Sequence, residues 1–444
     1  MSDNTTLTHP VPGSMPPRRD APAPHHDGAV TPDDIAVGVL VGRTCEYFDF
    51  FVYGLASVLV FPALFFPHLE RLDALLASFT VFSLAFVARP VGTLAGMAIQ
   101  RRYGRGVKLT LAMFGLGTAT CTMALLPGTA TWGGAIAALA FCRVLQGLAI
   151  GAAWDGLPSL LAINAPAHRR GWYAMMGQLG APVGFGIAAT LFAYLMTNVA
   201  PEDFFAWGWR FPFFVAFALN VVALFARLQL VLDNDFADAL RKHELEPSSL
   251  RELLSDERGG RTLAVGAFAA LSSFALVHLV TVFPLSWLSL SSSRNLTDVL
   301  WLQVGCAVLG VGGMLVSGWM ADRIGRRTTL GSLAVAIGVY GIATPWLLDG
   351  GNAGQNLFFM LGFILFGLSY AQAAGAAASA FSPSQRYLGA ALSADLAWLF
   401  GAAAAPLVAL YLSANYGLGA VSLYLLSGMA GTLLALGVHK RVGS

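Results

Sequence analysis

Gly42-Arg43-Thr44-Cys45-Glu46-Tyr47-Phe48-Asp49-Phe50 lies inside an apolar run from about Ile35 to Phe61. A run of that length, flanked by polar sequence, reads as a membrane-spanning helix. It nevertheless carries Arg43, Glu46 and Asp49 near its middle. On insertion scales each ionised side chain at the centre of such a helix costs roughly 2.5–3.5 kcal/mol, so three facing lipid would cost on the order of 8–10 kcal/mol. The three are spaced three residues apart, so neighbours touch along a slowly rotating helix face, which Tyr53 extends at i+4 from Asp49. That face is expected to look onto protein or a water-filled cavity. Two readings remain open for it: a structural ion pair that pins helices together, or a site for a proton or a substrate.

The remainder of the chain agrees with a membrane setting. Of its 444 residues 56% are apolar and only 11% charged, against roughly 25% charged in soluble domains. The charges collect in short clusters between long apolar runs, which excludes a soluble reading. The small net charge of +2 points to no nucleic-acid partner, because the basic residues mark membrane orientation instead. Cys45, Cys121, Cys142 and Cys306 all fall in apolar runs without a CxxC, so neither a disulfide framework nor a metal site is expected. No nucleophile–base set or phosphate loop appears, so neither an enzyme nor a cofactor is expected.

Apolar runs long enough to span lie near 35–61, 73–99, 108–127, 134–164, 170–196, 209–230, 262–290, 298–320, 329–348, 356–380, 387–413 and 417–438. They are too long, and too continuously apolar, for barrel strands. The expected fold is therefore an all-α membrane protein of twelve transmembrane helices. Residues 1–34 have no apolar core and read as a disordered cytoplasmic tail, 35–230 as an amino-terminal six-helix bundle, and 231–261 as a cytoplasmic linker. Residues 262–438 then form a carboxy-terminal six-helix bundle, and 439–444 a second cytoplasmic tail. With the amino terminus inside, Arg101, Arg102, Arg105, Lys108, Arg169, Arg170, Arg323, Arg326, Arg327, Arg386, Lys440 and Arg441 all fall in inner loops, which sets both termini in the cytoplasm. Ser248 to Leu254 reads as a short capped helix in the linker, and Trp207, Trp209 and Trp287 as interfacial anchors. The loop Gly318 to Arg327 echoes Met97 to Arg105 when the two are aligned on Gly-Arg. An internal repeat of that kind belongs to two-halved transporters whose rocking bundles expose one central site to alternate sides.

These residues resemble the major facilitator superfamily. Gly318 to Arg327 fits its G-x-x-x-D-R-x-G-R-R without a mismatch. Within the superfamily the chain is similar to the metabolite:proton symporter branch, through Glu46-Tyr-Phe-Asp49-Phe50, Phe86-Val-Ala-Arg89-Pro90-Val-Gly92, Arg143-Val-Leu-Gln146-Gly147 and Trp207-Gly-Trp209-Arg210-Phe-Pro212-Phe. The resemblance implies proton-coupled uptake of a carboxylate or compatible solute. Three departures mark a divergent member. The branch's G-G-E after R-x-x-Q-G is replaced by Gly151-Ala-Ala-Trp154-Asp155-Gly156, moving the acid about 200° round the helix. Arg101 stands where the first signature loop carries an acid, and Asp395 where an asparagine is expected.

Glu46 and Asp49 are the proton-carrier candidates, with Arg89 and Arg143 as their cationic partners and Asp155 as a weaker one. Arg89 either caps a carbonyl freed by Pro90 or pairs with Glu46 or Asp49. Arg143 meets an acidic substrate or a coupling carboxylate, or forms a salt bridge inside its own bundle. Arg43, Tyr53, Arg143, Gln146, His278, Gln303, Tyr370, Gln372 and Asp395 are the substrate-binding candidates, being polar groups in apolar runs. Arg101, Arg105, Asp322, Arg323 and Arg326 form a gate, with Asp322 pairing either Arg326 or a neighbouring helix. Arg43, Glu46, Asp49, Arg89 and Arg143 are expected to line one central chamber. The expected function is secondary active, proton-coupled symport of a small organic anion or zwitterion by a monomer in a bacterial-type inner membrane. The alternatives are a proton-driven exporter, suggested by Gly177, Gly180, Pro182, Gly184 and Gly186, and a ligand sensor that does not transport.

Overall fold

The computed structural model describes residues 32–154, 156, 161, 165–232, 249–255, 259–373 and 381–438. Asp155, most of the linker and nearly all of both tails lie outside that set. Twelve long helical elements follow one another, and no strand occurs among the described residues. In the first half they are α1 (Pro32–Leu59), α2 (Arg71–Tyr103), α3 (Arg105–Leu125), α4 (Ala135–Ala152), α5 (Arg170–Asn198) and α6 (Phe211–Leu232). In the second half they are α7 (Gly259–Phe268, resumed as Leu271–Thr281), α8 (Leu296–Ile324), α9 (Arg326–Asp349), α10 (Gly351–Tyr370), α11 (Pro383–Ala397, Trp398–Ala403 and Ala405–Tyr416) and α12 (Leu418–Val438). All but α1 are long and apolar enough to cross a membrane. α1 has the length, at 28 residues, but carries the charges quoted above. The outer surface is greasy: Phe114, Phe225, Trp346 and Leu434 are all exposed, which suits lipid and not water.

In the first half α1 packs on α5, α2 on α4 and α3 on α6; in the second α7 packs on α11, α8 on α10 and α9 on α12. The halves meet along two seams, α5 against α8 and α2 against α11. Local sequence explains the repeated details. Gly104 and Gly325 end α2 and α8 with φ of 88° and 85°, a conformation that a side chain strains and glycine does not. That is why both signature loops keep their Gly-Arg. Val60-Phe61-Pro62 and Val282-Phe283-Pro284 each start a new short helix, Phe61–Phe65 after α1 and Phe283–Ser291 after α7. Proline is welcome in a first helical turn and breaks the helix behind it.

The α2–α4 contact is set by small residues. A Cβ on Gly92 would strike the Leu148 backbone, one on Gly147 the Ala85 carbonyl and one on Gly151 the Arg89 carbonyl. The linker helix is observed as Leu250–Ser255. Ser249 Oγ accepts from Glu252 N while Glu252 Oε2 accepts from Ser249 N, a reciprocal capping box. Its Leu253 is buried against α7 and α11. Trp207 is exposed, but Trp209 is fully buried between Phe61 and Phe213. Trp209 therefore packs the bundle instead of anchoring it at an interface.

Candidate functional site

A small cavity of about 30 Å³ lies between the halves. Arg43, Glu46, Tyr47 and Phe50 of α1 line it with Phe86 and Arg89 of α2, Ile150 of α4 and Trp398 of α11. Three ion pairs occur among the described residues, and all three belong to this region. Glu46 is gripped twice, by Arg43 Nη1 at 2.7 Å and by Arg227 Nη2 of α6 at 2.5 Å. Arg89 crosses the seam: its Nε donates to Asp395 Oδ1 of α11 at 2.6 Å. Arg89 therefore pairs with neither Glu46 nor Asp49. The second Asp395 oxygen accepts from Thr93 Oγ1 at 2.5 Å. Nearby, Tyr47 Oη meets Tyr370 Oη at 2.6 Å and donates to Gln178 Oε1 at 3.0 Å.

Asp49 departs from the expected shared chamber. Three residues advance a helix by about 300°, so two such steps turn Asp49 about 120° away from Arg43. It points into the first bundle, fully buried. Thr120 Oγ1 of α3 lies 3.0 Å from both carboxylate oxygens, Gln146 Nε2 of α4 donates to Oδ1 at 3.1 Å, and Asn220 Nδ2 of α6 donates to Oδ2 at 2.9 Å. No guanidinium or ammonium group stands within ion-pair distance of it among the described residues. Arg143 is one step removed, donating from Nη1 to Gln146 Oε1 at 2.5 Å and from Nε to the Phe82 carbonyl at 3.1 Å. Arg143 and Gln146 are one helical turn apart, which lets a single amide bridge the guanidinium to the carboxylate.

Arg143 is buried in an aromatic cage, with its Cζ 3.9 Å from the Tyr53 ring centroid and 4.9 Å from that of Phe82. Cation–π attraction of this kind helps to hold a desolvated charge. Neither Arg143 nor Tyr53 lines the central cavity; the rings of Phe50 and Phe86 stand between, each about 6 Å from the guanidinium. His278 packs against Phe50, Phe82 and Phe86, with centroids 5.4, 5.1 and 6.1 Å away. Gln303 does not reach the cavity. Its Nε2 caps the Val280 and Thr281 carbonyls, both at 3.0 Å, where α7 breaks before Pro284.

The remaining polar residues gather at the end of the molecule that carries the Gly-Arg loops. Asp322 accepts from the Gly171 and Trp172 backbone N–H groups at 2.6 and 3.1 Å. A carboxylate is favoured there by the free N–H groups of the α5 terminus. Gln372 Nε2 donates to the Gly171 carbonyl at 3.2 Å and its Oε1 accepts from Arg326 Nε at 3.3 Å, so Gln372 belongs to this latch and not to the cavity. Arg323 stacks on its own neighbour Trp319 at 4.0 Å. In the first half Arg101 is exposed, and its neighbour Gln100 makes the crossing. Gln100 Oε1 accepts from Lys108 Nζ at 2.7 Å and from Tyr387 Oη of α11 at 3.1 Å, with the Arg105 guanidinium 6.0 Å from the Tyr387 ring.

Arg227 and Asn220 were detectable as polar residues two turns apart in the apolar run of α6. Thr93 and Thr120 carry no such signal, since a hydroxyl is common in spanning helices.

Residues 50–406 match the family model described as Major Facilitator Superfamily. The inner membrane metabolite transport protein YhjE of Escherichia coli is 35% identical over 424 residues, covering 93% of this chain and 96% of that one. The shikimate transporter of Escherichia coli is 28% identical, over 88% and 91% of the two chains. Among solved structures, the proton:xylose symporter XylE bound to 6-bromo-6-deoxy-D-glucose aligns with a TM-score of 0.68 at 19% identity, covering 91% of this chain and 95% of that one.

Proposed function

The chain belongs to the Major Facilitator Superfamily, and from that premise we propose that it couples inward movement of protons to uptake of a small polar metabolite. The observation that carries this reading is the contrast between two acids on one helix. Glu46 is compensated by two guanidinium groups. Asp49 is buried with neutral donors alone, and Arg143 reaches it only through Gln146. Protonating Asp49 therefore breaks no direct ion pair, whereas protonating Glu46 would break two. Asp49 is the proton carrier, and Arg143 with Gln146 senses its charge.

The cavity between the halves is the substrate site, with Arg43 and Arg89 as its cationic groups and Trp398 and Phe50 as its apolar walls. A metabolite bearing a carboxylate suits this lining, in keeping with the shikimate that names one relative. Transport proceeds by alternating access of two bundles, 35–230 and 262–438, joined by the 231–261 linker. Both termini, 1–34 and 439–444, are cytoplasmic in an inner membrane, and the protein acts as a monomer. The latches at Asp322 and Gln100 then close the cytoplasmic side. Of the glycines behind the exporter reading, Gly180 and Gly184 pack directly on the α1 backbone.

The test is uptake into proteoliposomes under an imposed inward proton gradient. Wild type is expected to accumulate substrate against its gradient. Asp49→Asn is expected to lose accumulation by at least about 100-fold, of the order of one removed catalytic proton transfer, while retaining substrate exchange. Undiminished accumulation in Asp49→Asn would sink the assignment; efflux driven by the same gradient would favour an exporter, and binding without flux a sensor.

A further inference from the structure

Asp395 reaches Arg89 from the opposite half of the molecule, and Arg89 lines the cavity with its guanidinium 5.8 Å from the Trp398 ring centroid. Directly after Asp395 and Ala397, α11 widens into a π-helical stretch, Trp398–Ala403, a deviation found mostly at functional positions. Arg43 and Arg227 both hold Glu46, while Arg89 holds Asp395 across the seam. A guanidinium edge that already holds a carboxylate has the geometry to hold another one in its place.

We propose that the substrate is a carboxylate that takes Arg89 over from Asp395, and that Asp395 is a built-in competitor which accepts a proton as it lets go. The proposal rests on the reading of the cavity as the transport site, and it names the chemical class of the substrate and a second proton. The exchange balances. Arg89 trades its hydrogen bond to Asp395 for one to the substrate, and a hydronium ion forms an O–H bond on Asp395 and leaves as water. Substrate release reverses both changes.

The charged and titratable groups around Asp395 come from several helices. Arg89 pairs with it from α2 and Arg43 acts on it from α1; Glu46 and Tyr47 of α1 line the cavity with Arg89, Tyr370 of α10 meets Tyr47, and His278 of α7 packs 6.1 Å from the Trp398 ring. Among the described acids Glu46 is the alternative, and it is held twice within its own half. Asp395 is held by one guanidinium and one hydroxyl, both across the seam along which the halves must separate. Carboxylate affinity therefore rises as pH falls, because protonated Asp395 no longer competes.

The experiment is calorimetric titration of purified full-length protein with shikimate, lactate, glycine betaine and, as an uncharged control, D-xylose. It is run between pH 5.5 and 7.5 in buffers of different ionisation enthalpy. Wild type is expected to bind a carboxylate more tightly at the lower pH, with proton uptake. Asp395→Asn is expected to bind the same carboxylate about ten-fold more tightly at the higher pH, the loss of one charge-assisted competitor. Its proton uptake on binding is expected to fall by about one. Unchanged or weaker binding in Asp395→Asn overturns the proposal, as does binding of no carboxylate. Should Asp395→Asn fail to fold, the wild-type profile decides: affinity flat with pH overturns it. Binding needs no flux, so carboxylate binding with these shifts but without gradient-driven uptake defeats the symport reading alone. Gradient-driven uptake with unaltered Asp395→Asn binding defeats this proposal alone.

Discussion

At the scale of single residues, the first helix separates two acids that its spacing makes look alike. Arg43 and Glu46 stand three apart and touch at 2.7 Å, as neighbouring residues on a helix should. Asp49 continues the spacing but not the surface, because the helix turns it toward α3, α4 and α6. The contact between Arg43 and Glu46 was legible because it is local. The shell of Asp49 was not, because Thr120, Gln146 and Asn220 come from 71, 97 and 171 residues away. Arg227 carries the clearest residue-scale consequence. Replacing it, as in Arg227→Met, leaves Glu46 buried with Arg43 alone. Losing one partner of a buried pair costs about 3–5 kcal/mol, and the remaining arginine should bring this down to roughly 2–3 kcal/mol. A thermal-melting series in detergent checks it. A variant that melts with wild type would mean that Arg227 does not stabilise Glu46.

Among helices, glycine placement decides what can approach what. Gly92, Gly147 and Gly151 let α2 and α4 touch backbone to backbone, which brings Arg89 to the cavity and Phe82 over Arg143. In the sequence, Gly92 and Gly147 were visible only as parts of short motifs; that they face each other's helices is a tertiary fact. Gly147→Val forces a branched side chain into the Ala85 carbonyl and is expected to abolish monodisperse folded protein. Gly312 has open space around it, so Gly312→Ala should fold like wild type, with a change within about 0.5 kcal/mol. Size-exclusion profiles of the two variants distinguish them, and a well-folded Gly147→Val would refute the close α2–α4 contact. The Gly-Arg echo between the two loops was readable because a positive φ leaves few alternatives to glycine. The Val-Phe-Pro echo at the ends of α1 and α7 is equally local, but each copy is hidden inside an apolar run.

For the whole molecule, hydropathy and arginine placement carried the twelve-helix arrangement, since spanning a bilayer leaves helices little freedom in length. The distribution of charge inside it was only half legible. Arg43, Glu46 and Arg89 meet at the central cavity, while Asp49 and Arg143 form a second, deeper unit behind Phe50 and Phe86. On the proposed reading the deep unit carries a proton and the cavity the substrate, with the aromatic rings and the Gln146 bridge between them. Infrared difference spectroscopy between acidic and neutral pH, read in the carbonyl-stretch region of protonated carboxyls, tests this most directly. In an Asp395→Asn background, which removes the other carboxyl expected to protonate, the band of a buried carboxyl is expected to appear on acidification alone and with Glu46→Gln, and to be missing with Asp49→Asn. A band that persists in Asp49→Asn and vanishes in Glu46→Gln would contradict the account.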